Sequence, residues 1–190
     1  MEIGLYFGSF NPIHVGHLII ASYARQTTSL QQVWLVVSPQ NPLKLSSSLL
    51  NEYHRLHLVK IAIEDDAHLR VTDVEFHLPK PSYTVHTLAY LSEKYPQHHF
   101  SIIMGSDSFS NLDKWKNYEH IVHNHKIYIF KRPGFEITNH VNKSIEVVDA
   151  PLLQISSTII RAMIKKGLSV RYLVPEKAVK EIEANRYYKD

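Results

Sequence analysis

The sequence predicts an α/β protein built on a doubly wound, mostly parallel sheet. Three observations carry that prediction. Short runs that are apolar at nearly every position recur along the chain, the pattern of strands buried on both faces. Stretches of helical period separate them. The two kinds alternate at the pitch of right-handed βαβ units.

Residues 3–7 read as the first strand, an apolar run ending at a glycine, and 14–25 as the helix that follows. Residues 33–37 (Val-Trp-Leu-Val-Val) are a second strand rich in β-branched and aromatic side chains. The helix at 52–64 is amphipathic, with Leu56, Val59 and Ile63 on one face. Residues 84–95 read as a helix, 101–104 as a strand, 118–123 as a helix and 127–130 as a strand. A further strand is expected at 146–148, then helices near 157–166 and 175–185. The chain shows no internal repeat, low-complexity tract or linker, so residues 1–190 are expected to form one domain.

Composition removes several classes of function. Six glycines and nine prolines in 190 residues are too few for a disordered or collagen-like chain. The absence of cysteine excludes disulfide scaffolds, thiolate metal sites and cysteine nucleophiles. Apolar runs fall far short of the roughly 18 residues of a membrane span, and Met1-Glu2-Ile3-Gly4 lacks the basic start of a signal peptide. A cytoplasmic protein with no membrane partner is expected. Residues 1–112 hold 7 basic and 9 acidic side chains, and residues 113–190 hold 14 and 9. That is no dense basic stripe, so nucleic acid is not an expected partner, but a cationic second half suits a small polyanion. Two long connections after strands, 38–51 and 132–144, lie where open α/β sheets hold ligands.

One string stands out. Gly8-Ser9-Phe10-Asn11-Pro12-Ile13-His14-Val15-Gly16-His17 directly follows the first strand and opens the first helix. Main-chain N–H groups of such a turn, with the positive end of the helix dipole, converge on an anion. Gly8 permits a tight turn and Gly16 a close backbone approach. His14 and His17 are three apart and share a helix face, where two imidazoles can donate to phosphate oxygens. With 13 histidines in the chain the spacing matters more than the residue type. His98, His99, His123 and His125 read as surface. No third metal ligand stands near the pair, so no protein metal site is expected. A second string, Ile155-Ser156-Ser157-Thr158-Ile159-Ile160-Arg161, reads as a helix start capped by Ser156 or Ser157, with Arg161 one turn in. Hydroxyls and an arginine at such a point can hold phosphates.

These strings resemble the GxFxPxHxGH and ISSTxIR signatures of the nucleotidyltransferase superfamily, which implies a Rossmann-like nucleotidyltransferase fold. Further matches are Asp73-Val74-Glu75, the block from Ser82 to Leu88, Gly105 and Asp107 followed by Trp115, Pro39 and Pro42 before Lys44, and Tyr172-Leu173-Val174-Pro175. Together they resemble bacterial nicotinate-mononucleotide adenylyltransferases over nearly the whole chain. The chain departs from that pattern at Asn11 and His86, where aspartate is common.

The resemblance implies transfer of AMP from ATP to nicotinate mononucleotide, giving deamido-NAD and pyrophosphate. His14, His17 and Arg161 would be catalytic. ATP would be held by Gly8, Ser9, Phe10, Asn11, Gly16, Lys44, Gly105, Asp107, Ser156, Ser157 and Thr158. Tyr83, Thr84, Asp107, Trp115 and Lys116 would hold the mononucleotide, with Trp115 stacking on the pyridine ring and the main-chain N–H groups of Thr84 and Lys116 gripping its carboxylate. Mg²⁺ would come with ATP and keep water and phosphate oxygens as its ligands. A homo-oligomer is compatible with the resemblance. The alternatives are a nicotinamide-mononucleotide or phosphopantetheine adenylyltransferase, or a catalytically inactive nucleotide-binding regulator.

Overall fold

The structure, a computed structural model, describes residues 1–39, 49–135, 137, 144–151 and 154–189. Six strands form one sheet: β1 (Glu2–Gly8), β2 (Gln32–Val37), β3 (Leu69–Thr72), β4 (His99–Gly105), β5 (Ile127–Phe130) and β6 (Ile145–Val148). Their order is β3-β2-β1-β4-β5-β6, and all five pairings are parallel. The predicted mostly parallel sheet is therefore parallel throughout the described residues. Strand β3 is an addition to the sequence prediction. It is a four-residue edge strand, with Leu69 buried and Arg70 exposed, too short and too polar to show as an apolar run.

Among the described residues seven α-helices cover the sheet: α1 (Val15–Thr27), α2 (Glu52–Ile63), α3 (Thr84–Lys94), α4 (Ser106–Phe109), α5 (Tyr118–Asn124), α6 (Ser157–Lys165) and α7 (Glu176–Ala184). Alternation along each strand assigns the layers, because successive side chains point to opposite faces. Val33, Leu35 and Val37 of β2 join a core with Ala21, Leu58, Ile160 and Ile182. Trp34 and Val36 of the same strand join a second core with Leu88, Phe109 and Ile121. Helices α1, α2, α6 and α7 thus pack on one face, and α3, α4 and α5 on the other. Apolar burial on both sides is the main favourable term, at about 25 cal/mol per Å² of apolar surface.

The topology also places the site. The chain winds outward from β1 through β2 to β3, then crosses to β4 and winds the other way. The order reverses between β1 and β4, which opens a crevice at their carboxyl ends. Gly8, Gly105, Phe130 and the loops after them meet there. Among the described residues no helix is long and apolar enough to cross a membrane.

Candidate active site

The turn after β1 is packed from beneath. Phe10 adopts a left-handed φ of 44° and the Asn11–Pro12 peptide is cis. The Phe10 ring, 1% exposed, lies under Gly8 so closely that a Cβ there would sit 2.9 Å from it. Only glycine leaves that space open. Helix α1 begins at Val15, so His14 is its N-cap residue and not part of its first turn. The His14 main-chain N–H donates to Nδ1 of His17 at 3.2 Å. The two rings stack with centroids 3.6 Å apart. Phe10 meets the His17 ring edge-on at 5.0 Å. A Cβ on Gly16 would come within 3.0 Å of His14 Nδ1, which explains the glycine.

This packing sets the protonation of both imidazoles. Burial, then the Arg132 guanidinium, lowers the pKa of His14 from its ordinary 6.5 to about 4. Burial, then His14, then Arg132 holds His17 well below its ordinary value. Both are neutral at pH 7. Because Nδ1 of His17 accepts a hydrogen bond, its ring proton sits on Nε2, which makes that atom a fixed donor.

The second string is fastened to the first. Ser156 caps α6, its Oγ accepting from the Ile159 N–H at 3.3 Å. This settles which of the two serines is the cap. Ser157 Oγ instead donates to the Pro12 carbonyl at 2.9 Å, and Arg161 Nη1 donates to the Asn11 carbonyl at 2.8 Å. Arg161 Nη2 lies 3.4 Å from Thr158 Oγ1. Asn11 is 3% exposed and its side-chain oxygen accepts from the Leu50 N–H at 3.2 Å. At this position, where the pattern the sequence resembles commonly has aspartate, the amide pins the far end of the loop after β2.

Two arginines that the sequence reading did not single out shape the site, one lining the crevice and one buried beneath the neighbouring loops. Arg132, just after β5, has its main-chain N–H on Ser106 Oγ at 2.8 Å. Its Nε is buried without a hydrogen-bond partner among the described residues and lies 3.9 Å from Asp107 Oδ1. A buried donor that makes no hydrogen bond among the described residues, beside two neutral imidazoles, suits an incoming anion. Its signal in the sequence was an Arg-Pro-Gly turn directly after a strand. Gly105 is needed here too, since a Cβ would collide with Asp107 Oδ1 and crowd the Arg132 side chain. The crevice between α1 and β5 has apolar walls from Ile20, Phe130 and Ile155, and His14 and Arg132 as its polar lining.

Arg55 is fully buried and corrects the reading of α2, whose inward face it shares with Val59 and Ile63. Among the described residues no carboxylate lies within ion-pair distance of it. Its guanidinium donates to the carbonyls of Leu50 (2.7 Å), Ser9 (2.5 Å), Ser38 (2.8 Å) and Pro39 (3.0 Å). It therefore ties the turn after β1 to the loop after β2. A charge at one position of an apolar stripe was the available clue. Lys44 lies outside the described residues.

The remaining predicted residues gather on the other face. Tyr83 is the N-cap of α3 and Thr84 its first residue. Lys116 Nζ sits 4.8 Å over the Tyr83 ring. Trp115 is half-buried against the same core as Tyr83. His86 meets the Tyr83 ring edge-on at 5.7 Å. Of the four histidines read as surface, His99 and His123 are exposed. His98 and His125 are half-buried, and His125 Nδ1 lies 2.9 Å from the Phe100 carbonyl. Among the described residues no group of three His, Asp or Glu side chains could hold a metal ion.

A parallel sheet in this order, with neutral imidazoles, a hydroxyl-rich helix start and two arginines at the reversal point, defines a nucleotidyltransferase. Residues 5–163 match the family model described as cytidylyltransferase-like. The chain is 51% identical over 192 residues, all of both chains, to a protein of Flavobacterium johnsoniae named "Probable nicotinate-nucleotide adenylyltransferase". A protein of the same name from Flavobacterium psychrophilum is 48% identical, again over all of both chains. The fold matches the nicotinic acid mononucleotide adenylyltransferase of Plasmodium falciparum, solved in complex with NaAD, with a TM-score of 0.83 at 22% identity, covering 98% of this chain and 97% of that one. The chain belongs to the nicotinate-nucleotide adenylyltransferase family.

Proposed function

We propose that this enzyme transfers AMP from ATP to the 5′-phosphate of nicotinate mononucleotide, forming nicotinate adenine dinucleotide and pyrophosphate for NAD biosynthesis. The observation that carries the reading is the pair of neutral, stacked histidines at the start of α1, beside the Arg132 guanidinium that lines the same crevice and bolted to the start of α6. A phosphate oxygen of the mononucleotide attacks the α-phosphorus in line, and the bond to the bridging oxygen breaks as pyrophosphate takes the electron pair. No enzyme nucleophile is required, so positioning and charge stabilisation supply the catalysis.

His17 donates from Nε2 to an α-phosphate oxygen, where charge rises in the transition state, and His14 supports it. Ser157, Thr158, Arg161 and the N–H groups of α6 take the β- and γ-phosphates, with Lys44 as a further cation. Arg132 answers charge on the reacting phosphates. Mg²⁺ bound with the triphosphate would neutralise part of its charge, and the hydroxyls and neutral imidazoles among the described site residues would leave it to phosphate oxygens and water. Adenine fits the apolar walls of Ile20, Phe130 and Ile155.

The pyridine ring stacks on Trp115, beside Tyr83, and Asp107 holds the ribose. The pyridine carboxylate meets the N–H groups of Thr84 and Lys116. The first of these stands at the positive end of α3 and has no partner inside the helix. We assign the chain to the cytoplasm as a single domain, without nucleic-acid partners and with a homo-oligomer allowed. The test is pyrophosphate release from ATP and nicotinate mononucleotide with chromatographic detection of the dinucleotide. Binding of both nucleotides without pyrophosphate would make the protein a regulator and overturn the reading.

A further inference from the structure

Glu75 is 2% exposed in the short 3₁₀ turn Val74–His77 that follows β3. Its partners are hydroxyls rather than cations. Oε2 accepts from Ser82 Oγ at 2.9 Å and Oε1 from Thr87 Oγ1 at 3.0 Å. Ser82 is 7% exposed and Thr87 0%, so these bonds are made away from water. A buried carboxyl with no paired cation costs stability compared with an apolar side chain of similar size. Such a cost is met where the group holds a geometry that apolar packing cannot specify.

The geometry in question is local. Ser82 precedes Tyr83 and Thr84, and Thr87 follows them, so the carboxyl clasps the first turn of α3 on both sides. The Thr87 hydroxyl also reaches the Tyr83 carbonyl at 3.5 Å. The clasped turn carries the ring that Lys116 covers and the main-chain N–H of Thr84. Among the described residues no hydrogen bond joins the carboxyl to the turn after β1.

We propose that Glu75 is a positioning residue of the mononucleotide subsite: by clasping Ser82 and Thr87 it sets the N–H of Thr84 against the pyridine carboxylate. The inference rests on the function proposed above, which places nicotinate mononucleotide at the start of α3. Glu75 touches neither substrate, and its effect is confined to one of them.

The test compares steady-state kinetics of the wild type, Glu75→Gln and Ser82→Ala, with ATP and each mononucleotide. Glutamine keeps the volume of the side chain but turns one acceptor into a donor, so one hydroxyl must swing away. The expected result is a roughly tenfold rise in KM for nicotinate mononucleotide, the size of one lost bond to a buried carboxylate. The KM for ATP stays within about twofold, since uniform binding of that substrate is untouched. Selectivity for nicotinate over nicotinamide mononucleotide narrows along with it. Ser82→Ala, which leaves the carboxyl intact, shows the same split and carries the test if Glu75→Gln does not fold. Ser82→Thr, restoring a hydroxyl, returns the mononucleotide KM toward the wild-type value. Equal rises in both KM values, or an unmoved mononucleotide KM, overturn the role of Glu75 while wild-type turnover stands. A wild type that does not turn over nicotinate mononucleotide rejects the underlying reading instead.

Discussion

Arg161 and Asn11 stand 150 positions apart in sequence, yet Nη1 of the arginine donates to the asparagine carbonyl at 2.8 Å. With Ser157 on the Pro12 carbonyl, this bond makes one rigid body of the starts of α1 and α6. The guanidinium then has N–H groups left for phosphate oxygens.

Arg161→Lys is predicted to raise the KM for ATP roughly tenfold or more, and to raise that for the mononucleotide much less. A lysine ammonium cannot hold the Asn11 carbonyl and two phosphate oxygens in one planar fork. Steady-state kinetics with each substrate varied in turn checks this. Equal changes in both values would make Arg161 a purely structural residue.

His17→Ala is predicted to lower kcat by roughly 10²–10³-fold, the scale of one preorganised donor lost from a transition state. The variant also loses the bond from the His14 N–H, worth about 1 kcal/mol of stability. Single-turnover rates on folded protein decide the matter. A kcat near that of the wild type would remove His17 from the chemistry.

His14 makes stability fall on acidification. Its folded pKa, about 4, lies below the ordinary 6.5 of the unfolded chain. Between these values the unfolded state binds the proton more readily, so stability is lost from pH 6.5 downward and the loss levels off below about 4. The contribution is of order 3 kcal/mol. Urea unfolding of the wild type and His14→Asn at pH 7 and pH 5 should show the larger drop in the wild type. An equal drop would mean that His14 titrates normally in the folded protein.

Arg55→Met is predicted to destabilise the fold by roughly 3 kcal/mol or more, because four carbonyls lose a buried donor group at once. Thermal unfolding measures it. A variant as stable as the wild type would show that these carbonyls find other donors.

Five of the strands, every helix but the short α4 (Ser106–Phe109) and the first string were legible because each is local in sequence. Helix α2 was expected at 52–64 and spans Glu52–Ile63; α3 was expected at 84–95 and spans Thr84–Lys94. Strand β3 was not legible, since Leu69-Arg70-Val71-Thr72 is an edge strand that carries an exposed arginine. Arg55 was missed for a different reason. A charged residue on a helix ordinarily faces water, and its carbonyl partners come from segments far along the chain that only the fold brings together. Arg132 was missed because the turn after β5 becomes part of the site only once β4 and β5 are seen side by side. Asn11 shows the converse. The sequence marked it as a departure from aspartate, and the structure shows an amide oxygen already engaged by Leu50.

The central claim is that the acceptor is the pyridine acid, gripped at the start of α3. Main-chain N–H groups only donate, so a carboxylate satisfies both with its two oxygens. A carboxamide must turn its own NH₂ toward one of them, and the positive end of the helix favours the anion as well. The most direct measurement is kcat/KM for nicotinate and for nicotinamide mononucleotide, by pyrophosphate release at saturating ATP. The account predicts a preference of roughly 10²–10⁴-fold for the acid. A ratio near one, or in favour of the amide, would contradict it.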